Sequence, residues 1–309
     1  MNVVVTGASG FIGRNVLLRA PRQWNVFAVH RSTDDFDVFV KQHGLTNVTP
    51  VRCDLLSESG VKSLAGTIGG KPDAMLYLAA NGDPAASSQR PRWDLESNTV
   101  AFVNTLEHCP ADHVVFVSSG AVYDGLHGAV TPATPVFPKL PYAISKLASE
   151  QYLQFFCERR GTVSSYVNVR FFGAYGPYEA PRKITSKWLQ ALARGERQFV
   201  IRGDGRNLID FMYVDDAVDG FLELVKAAGA RLTVDFASGT PISVNEVVQA
   251  MGRTLGVEVT VRHEGQVPEY IEFRSTDASM RDRFGITPRI AFDAGLERLR
   301  AFLTSRQGP

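Results

Sequence analysis

The sequence predicts an α/β protein: a doubly wound parallel sheet with a smaller, mixed C-terminal lobe. Three observations carry this. Short apolar runs recur along the first half, each followed by a helical pattern; a glycine-rich turn joins the first run to the first helix; and the alternation loosens after about Gly173. Continuous apolar runs mark strands buried on both faces, and strand–helix alternation calls for parallel strands joined by right-handed crossovers. In such a sheet ligands lie at the carboxyl ends of the strands.

The runs, in order, are Asn2-Val3-Val4-Val5, Val26-Phe27-Ala28-Val29, Met75-Leu76-Tyr77-Leu78, Val114-Val115-Phe116-Val117 and Ser165-Tyr166-Val167-Asn168-Val169. Beyond them, the stretch from Pro177 to Gly205 mixes loop residues with one helical pattern from Ile184 to Arg194. Ser243 followed three residues later by Glu246 is a capping-box signature at a helix start. The segment from Phe211 to Phe236 is expected to return to the main sheet. This gives a nucleotide-binding unit of 1–172 plus about 208–239, and a second lobe of 173–207 plus about 240–309. The 309 residues suit that division at ~150 residues per domain.

Composition narrows the function. Lys plus Arg total 33 against 32 Asp plus Glu, a net charge of +1, so neither a nucleic-acid backbone nor an anionic membrane is expected as a partner. At 44% hydrophobic and 21% charged residues the chain can bury a sizeable core. Cys53, Cys109 and Cys157 are far apart, which argues against a disulfide framework or a structural zinc site. His43, His108, His113, His127 and His263 have no partner at metal-ligand spacing and read as surface residues. No metal site is expected. The opening residues carry no basic stretch, their apolar run is broken by Gly7, Ser9 and Gly10, and no run reaches the ~18 apolar residues a spanning helix needs. A soluble cytoplasmic protein is expected.

Thr6-Gly7-Ala8-Ser9-Gly10-Phe11-Ile12-Gly13 follows the first strand and opens a helix. Glycines at 7, 10 and 13 allow a tight turn, close backbone approach to a pyrophosphate and close helix–strand packing. The helix start at Phe11 and Ile12 offers free N–H groups and partial positive charge to phosphate. This places a dinucleotide at Gly7, Ser9, Gly10, Phe11, Ile12 and Gly13. At the end of the second strand an NAD site usually has a carboxylate for the ribose 2′-hydroxyl, ~20 residues beyond the glycines. Here His30-Arg31-Ser32 stands instead. Arg31 would attract a 2′-phosphate and Ser32 could donate to it, which favours NADP, with NAD the alternative; Arg31 as a solvated loop residue is the plainer reading. Asp54, followed by Leu55, could accept from the adenine amino group, or could be a turn aspartate.

Ser118-Ser119 ends the fourth apolar run at a strand's carboxyl edge. Pro141-Tyr142-Ala143-Ile144-Ser145-Lys146 then opens a helix, with Pro141 suited to its first turn. Tyr142 and Lys146 are i,i+4 neighbours on one face. A phenol near pKa 10 is a poor base at neutral pH. An ammonium group beside it, together with an oxidised nicotinamide, favours the phenolate, so that Tyr142 can exchange a proton with a substrate hydroxyl or carbonyl while hydride moves. Ser119 would hydrogen-bond the same oxygen.

These residues together resemble the extended short-chain dehydrogenase/reductase family, in the branch acting on nucleotide-activated sugars. The matching pieces are Thr6 to Gly13, Leu78-Ala79-Ala80, Asn98, Ser118 to Tyr123, Tyr142 with Lys146, Arg170 to Pro177, Gly203-Asp204-Gly205 and Asp210 to Asp216. The resemblance implies a Rossmann sheet and catalytic roles for Ser119, Tyr142 and Lys146. It implies cofactor contacts for Leu78, Ala79, Ala80, Tyr142, Lys146 and Phe172, a bracing role for Asn98, helix capping by Asp215 and Asp216, and a homodimer through the helices carrying Asn98 and Tyr142. Two positions depart from the pattern: Gly173 stands where the family has an Asn that touches the sugar nucleotide, and Ile209 where it has an Arg that grips the pyrophosphate. Arg182, Lys183, Arg206 and Arg274 are the cations available for that task.

Within that family, a dehydratase resembles Thr-Asp-Glu at the strand end, where this chain has Ser119-Gly120-Ala121. A reductase that first epimerises C3 and C5 has a Cys at about Ala121. Two reactions remain, a ketoreductase that consumes NADPH and a 4-epimerase that retains its cofactor. Arg31 tilts the choice to the ketoreductase. A non-catalytic NADP-binding sensor is a distant third, because such relatives typically lack the Tyr or Lys that this chain keeps.

Overall fold

The computed structural model describes residues 1–266 and 272–305. Seven strands, β1 (Asn2–Thr6), β2 (Asn25–His30), β3 (Val48–Arg52), β4 (Ala74–Tyr77), β5 (His113–Ser119), β6 (Ser165–Phe171) and β7 (Arg231–Phe236), form one parallel sheet in the order β7-β6-β5-β4-β1-β2-β3. From β1 the chain builds outward through β2 and β3, then returns to the other side of β1 with β4. The order reverses between β1 and β4, and a crevice at that switch point is where such sheets bind ligands.

Alternate residues of each strand serve opposite faces. Val3 and Val5 pack with Leu76, Val115 and Val167 on one face, under Val16 and Leu17 of the Phe11–Arg19 helix and Val218 and Phe221 of the Val214–Lys226 helix. Val4 packs with Met75, Tyr77, Val114 and Phe116 on the other, under Phe102 and Leu106 of Ala101–His108 and Leu153 and Phe156 of Pro141–Glu158. Each such large side chain contributes roughly 1.5–3 kcal/mol on burial. Both faces are therefore covered, which is why the strands read as unbroken apolar runs.

The first of these cores runs on without a break into the C-terminal region, through Leu189, Phe199, Ile201, Val247, Met251 and Leu296. There the Ile184–Ala193 helix lies beside a parallel pair, Gln198–Arg202 with Thr260–Glu264. The Val244–Leu255 helix starts on a complete capping box, Ser243 with Glu246. A separate strand, Glu272–Ser275, pairs with His127–Val130 near the carboxyl end of the sheet. Among the described residues no helix is long and apolar enough to cross a membrane.

Two expectations are corrected. His113 is not a surface residue: it opens β5, is 1% exposed, and both ring nitrogens are engaged, with Ser165 Oγ at 2.8 Å and the Leu224 carbonyl at 3.0 Å. Burial lowers its pKa, so the ring acts as a neutral cross-tie. Neither Asp215 nor Asp216 caps its helix: the N-cap is Tyr213, with no side-chain cap, and Asp215 lies 3.4 Å from Arg298 and 3.9 Å from Arg19. Asp216 Oδ2 accepts the backbone N–H groups of Arg289 and Ile290, at 3.0 and 2.8 Å, and so pins the C-terminal segment to the Val214–Lys226 helix.

Candidate active site

The glycine turn is fixed by its neighbours. Gly7 has φ +64°, and a Cβ there would lie 2.9 Å from the backbone nitrogen of Ala79; a Cβ on Gly13 would lie 2.5 Å from the Gly7 carbonyl oxygen. Thr6 Oγ1, fully buried, accepts from the N–H groups of Leu78 and Ala79, both at 3.1 Å, and locks the end of β4 against the turn. Gly10 occupies the N-cap of the Phe11–Arg19 helix without a side-chain cap, and the first turn carries no acidic residue. A helix start left in this state suits phosphate oxygens.

A cavity of about 410 Å³ opens over this turn. Gly7, Ser9, Gly10, Arg31, Ser32, Thr33, Asp54, Leu55, Leu78, Ala79 and Ala80 line it, along with Asn81, Trp93 and Ser97. Phe11 and Ile12 lean instead on the core, and Gly13 serves packing between helix and strand. The cradle therefore fits a dinucleotide: close-set glycine backbone, an open helix start and a pocket at the switch point.

The far end of the cavity is set by the residues after β2. Thr33 Oγ1 donates to Ser9 Oγ at 2.8 Å, and Arg52 Nε donates to the Arg31 carbonyl at 3.2 Å. Arg31 and Ser32 line this end, and Arg52 is bonded to the Arg31 backbone. Asp34 and Asp35 are outside the lining; Asp34 lies 3.9 Å from Arg52, and Asp35 3.5 Å from Arg14. Asp54 both lines the cavity and makes a turn, its Oδ1 accepting from Leu56 N–H at 3.1 Å.

Ser119, Tyr142 and Lys146 converge beside the carboxyl end of β5. Ser119 is the last residue of that strand; its Oγ accepts from Ala121 N–H at 3.1 Å and hydrogen-bonds the Tyr142 phenol. Tyr142 sits in the first turn of Pro141–Glu158, its N–H donating to Ser87 Oγ at 3.2 Å. Lys146, one turn on and 4% exposed, donates from Nζ to the Val117 carbonyl at 2.8 Å. Its Nζ is 5.9 Å from the Tyr142 ring centroid and 5.0 Å from that of Phe116. Burial lowers the Lys146 pKa to about 8, against the pull of Asp94 and Glu150. Burial also raises the Tyr142 phenol, the Ser119 hydrogen bond opposing it and Asp94 adding to it. Phenolate formation thus depends on further positive charge in the site. Phe172 does not line the cavity; its ring lies against Gly120, where a Cβ would come within 3.1 Å of it.

Behind these residues lies a buried polar cluster of which the resemblance marks Asn98 alone. Asp94, fully buried, accepts at Oδ1 from Asn81 Nδ2 (2.7 Å) and Asn98 Nδ2 (2.9 Å), and at Oδ2 from Ser145 Oγ (2.7 Å). Asn98 Oδ1 in turn accepts the Asn81 N–H at 2.7 Å, so it braces the cavity loop. The one available signal is spacing, since Asp94 precedes Asn98 by four residues across a π-helical turn, Glu96–Val100.

The residues considered for an anionic substrate are more scattered. Gly173 follows β6 with φ +135°, and its carbonyl accepts from Met212 N–H. Arg182 lies 3.6 Å from Asp83, the N-cap of the Pro84–Gln89 helix that also carries Ser87. Lys183 adjoins it at the start of Ile184–Ala193. Arg206 bonds Asp204 through its guanidinium, and Arg274 is exposed on Glu272–Ser275.

Comparison with known proteins places the chain in a family. The chain is 26% identical over 319 residues to UDP-glucuronate 4-epimerase of Thermodesulfobacterium geofontis, covering 96% of this chain and 94% of that protein. It superposes on MoeE5 in complex with UDP-glucose and NAD with a TM-score of 0.86 at 27% identity, and on MoeE5 in complex with UDP-glucuronic acid and NAD with 0.84 at 28%, covering all of both chains in each case. Residues 3–234 match the model of the NAD dependent epimerase/dehydratase family, and the chain belongs to that family.

Proposed function

We propose that the protein is a UDP-sugar 4-epimerase that keeps a nicotinamide dinucleotide bound through its cycle. The convergence of Ser119, Tyr142 and Lys146 at the carboxyl end of β5, the strand next to β4 whose following residues line the glycine-turn cavity, carries this reading. When bound, the nicotinamide supplies a hydride acceptor and donor. Tyr142 takes the proton of the sugar C4 hydroxyl as hydride leaves C4, and returns it when hydride comes back to the other face. Ser119 holds the same oxygen. Lys146 binds the nicotinamide ribose and, with the positive nicotinamide, offsets the burial that raises the phenol.

UDP-glucose and UDP-glucuronic acid, seen with NAD on MoeE5, and the activity named for the Thermodesulfobacterium relative support the substrate class and the reaction. They move the balance from the ketoreductase favoured by sequence alone. In this reading Arg182 and Lys183 approach the substrate from the C-terminal region, with Arg206 and Arg274 as further cations for its diphosphate, and Gly173 leaves room where the family places an Asn.

A second reading, a 4-ketoreductase consuming NADPH, keeps one observation in its favour: Arg31 and Ser32 line the cavity end where an NAD site has a carboxylate. Preference for NADP is part of our proposal on the same ground. Homodimer assembly is a further part. Ile144, Tyr152 and Phe155 are exposed along one side of the Pro141–Glu158 helix, with Leu95 and Val100 exposed on the neighbouring segment.

The test is incubation with UDP-glucuronate or UDP-glucose and a catalytic amount of dinucleotide, followed by NMR of the sugar. Interconversion at C4 without net oxidation of NADPH supports the epimerase. Oxidation of NADPH by 4-keto sugar nucleotides with no interconversion overturns it in favour of the reductase.

A further inference from the structure

Two carboxylates pull on the buried ammonium of Lys146: Glu150 on its own helix, and Asp94, which is joined at 2.7 Å to Ser145, the residue before Lys146. Glu150, one turn further along the same helix, is already committed: Arg170 of β6 binds it through Nε and Nη2, the latter at 2.9 Å, and Ser118 Oγ donates to it at 2.5 Å. Asp94 comes from a different element, the Pro91–Leu95 helix, and its three donors, Asn81, Asn98 and Ser145, are all neutral. Among the described residues it makes no ion pair. The remaining groups around Lys146 are Tyr142 on its own helix, the Phe116 ring and the Val117 carbonyl on β5. A fully buried carboxylate is costly unless a positive charge balances it.

We propose that Asp94 is a positioning residue, the buried counter-charge that keeps Lys146 protonated while tying the Tyr142–Lys146 helix, through Ser145, to the cavity loop at Asn81. The inference rests on the reading of Tyr142 and Lys146 as a working pair. Asp94 acts through them and touches neither substrate nor cofactor. Its field favours the proton-rich state of the pair, ammonium and phenol, so release of the phenolic proton waits on the charge of a bound oxidised nicotinamide. The three hydrogen bonds also make it a joint, since they gather a loop, a π-helical turn and the catalytic helix on one side chain.

The experiment is an NMR titration of the Lys146 side chain in 13C-lysine-labelled protein, with the signal assigned through Lys146→Met. In Asp94→Asn, which keeps the side chain's shape and most of its hydrogen bonds, Lys146 is expected to titrate lower by roughly one unit or more. Asp94→Glu is expected to restore the wild-type midpoint. Asp94→Ser is a second neutral variant if the amide does not fold, and Ser145→Ala, which breaks the tie but keeps the charge, should leave the midpoint in place. An unchanged midpoint in both neutral variants, or an equal drop in Ser145→Ala, overturns the proposal. The titration reads the ammonium directly, so a failure of the proposed sugar chemistry would leave it standing.

Discussion

The Lys146 ammonium donates to the Val117 carbonyl at 2.8 Å and lies 5.9 Å from the centroid of the Tyr142 ring. The bond reaches from the Pro141–Glu158 helix to the strand that ends in Ser119, so one lysine fixes the helix and the strand edge to each other. It also holds a cation where burial disfavours one, with a pKa of about 8. Because the charged form is the one the proposed chemistry uses, kcat/KM is expected to fall as pH rises through about 8. Lys146→Arg, whose guanidinium does not titrate in this range, is expected to lower activity but flatten that limb. A limb that persists in the arginine variant would belong to another group.

Tyr142→Phe removes the phenolic oxygen and keeps the ring. Dinucleotide affinity should stay close to wild type, measured by fluorescence titration, while turnover falls by ~10²-fold or more, as expected for loss of an acid/base group. Near-normal turnover would remove Tyr142 from its role.

Arg31→Ala takes away a guanidinium from a residue that lines the far end of the cavity. NADPH binding is expected to weaken much more than NADH binding, by calorimetry. Equal losses would mean that Arg31 does not meet a 2′-phosphate.

Phe155→Asp puts a charge on the exposed apolar side of the Pro141–Glu158 helix, away from Tyr142 and Lys146. Light scattering after size exclusion is expected to show a dimer for the wild type and a shift to monomer for the variant. Two monomers, or two dimers, would place the subunit contact elsewhere or nowhere.

The sequence carried the sheet because strands buried on both faces must be apolar throughout; Val114 to Val117 and Met75 to Tyr77 could hardly be anything else. It carried the glycine turn because the backbone of Ala79 leaves no room for a side chain at Gly7. His113 is opaque to sequence because a histidine with both nitrogens engaged looks there like any other polar residue at a strand start. Asp94 is hidden in the sequence for a related reason. Its partners come from positions 81, 98 and 145, and no local pattern announces a cluster assembled across 64 residues of chain. Arg182, Lys183, Arg206 and Arg274 stand out in the sequence by region alone, and region does not orient a guanidinium.

The most direct test of the central claim uses a UDP-hexose or UDP-uronate carrying deuterium at C4. If hydride leaves C4 for a retained dinucleotide and returns to the opposite face, the C4 epimer should form with its deuterium kept at C4 in the same sugar. Appearance of the label in free dinucleotide, or its loss to water during interconversion, would contradict the account.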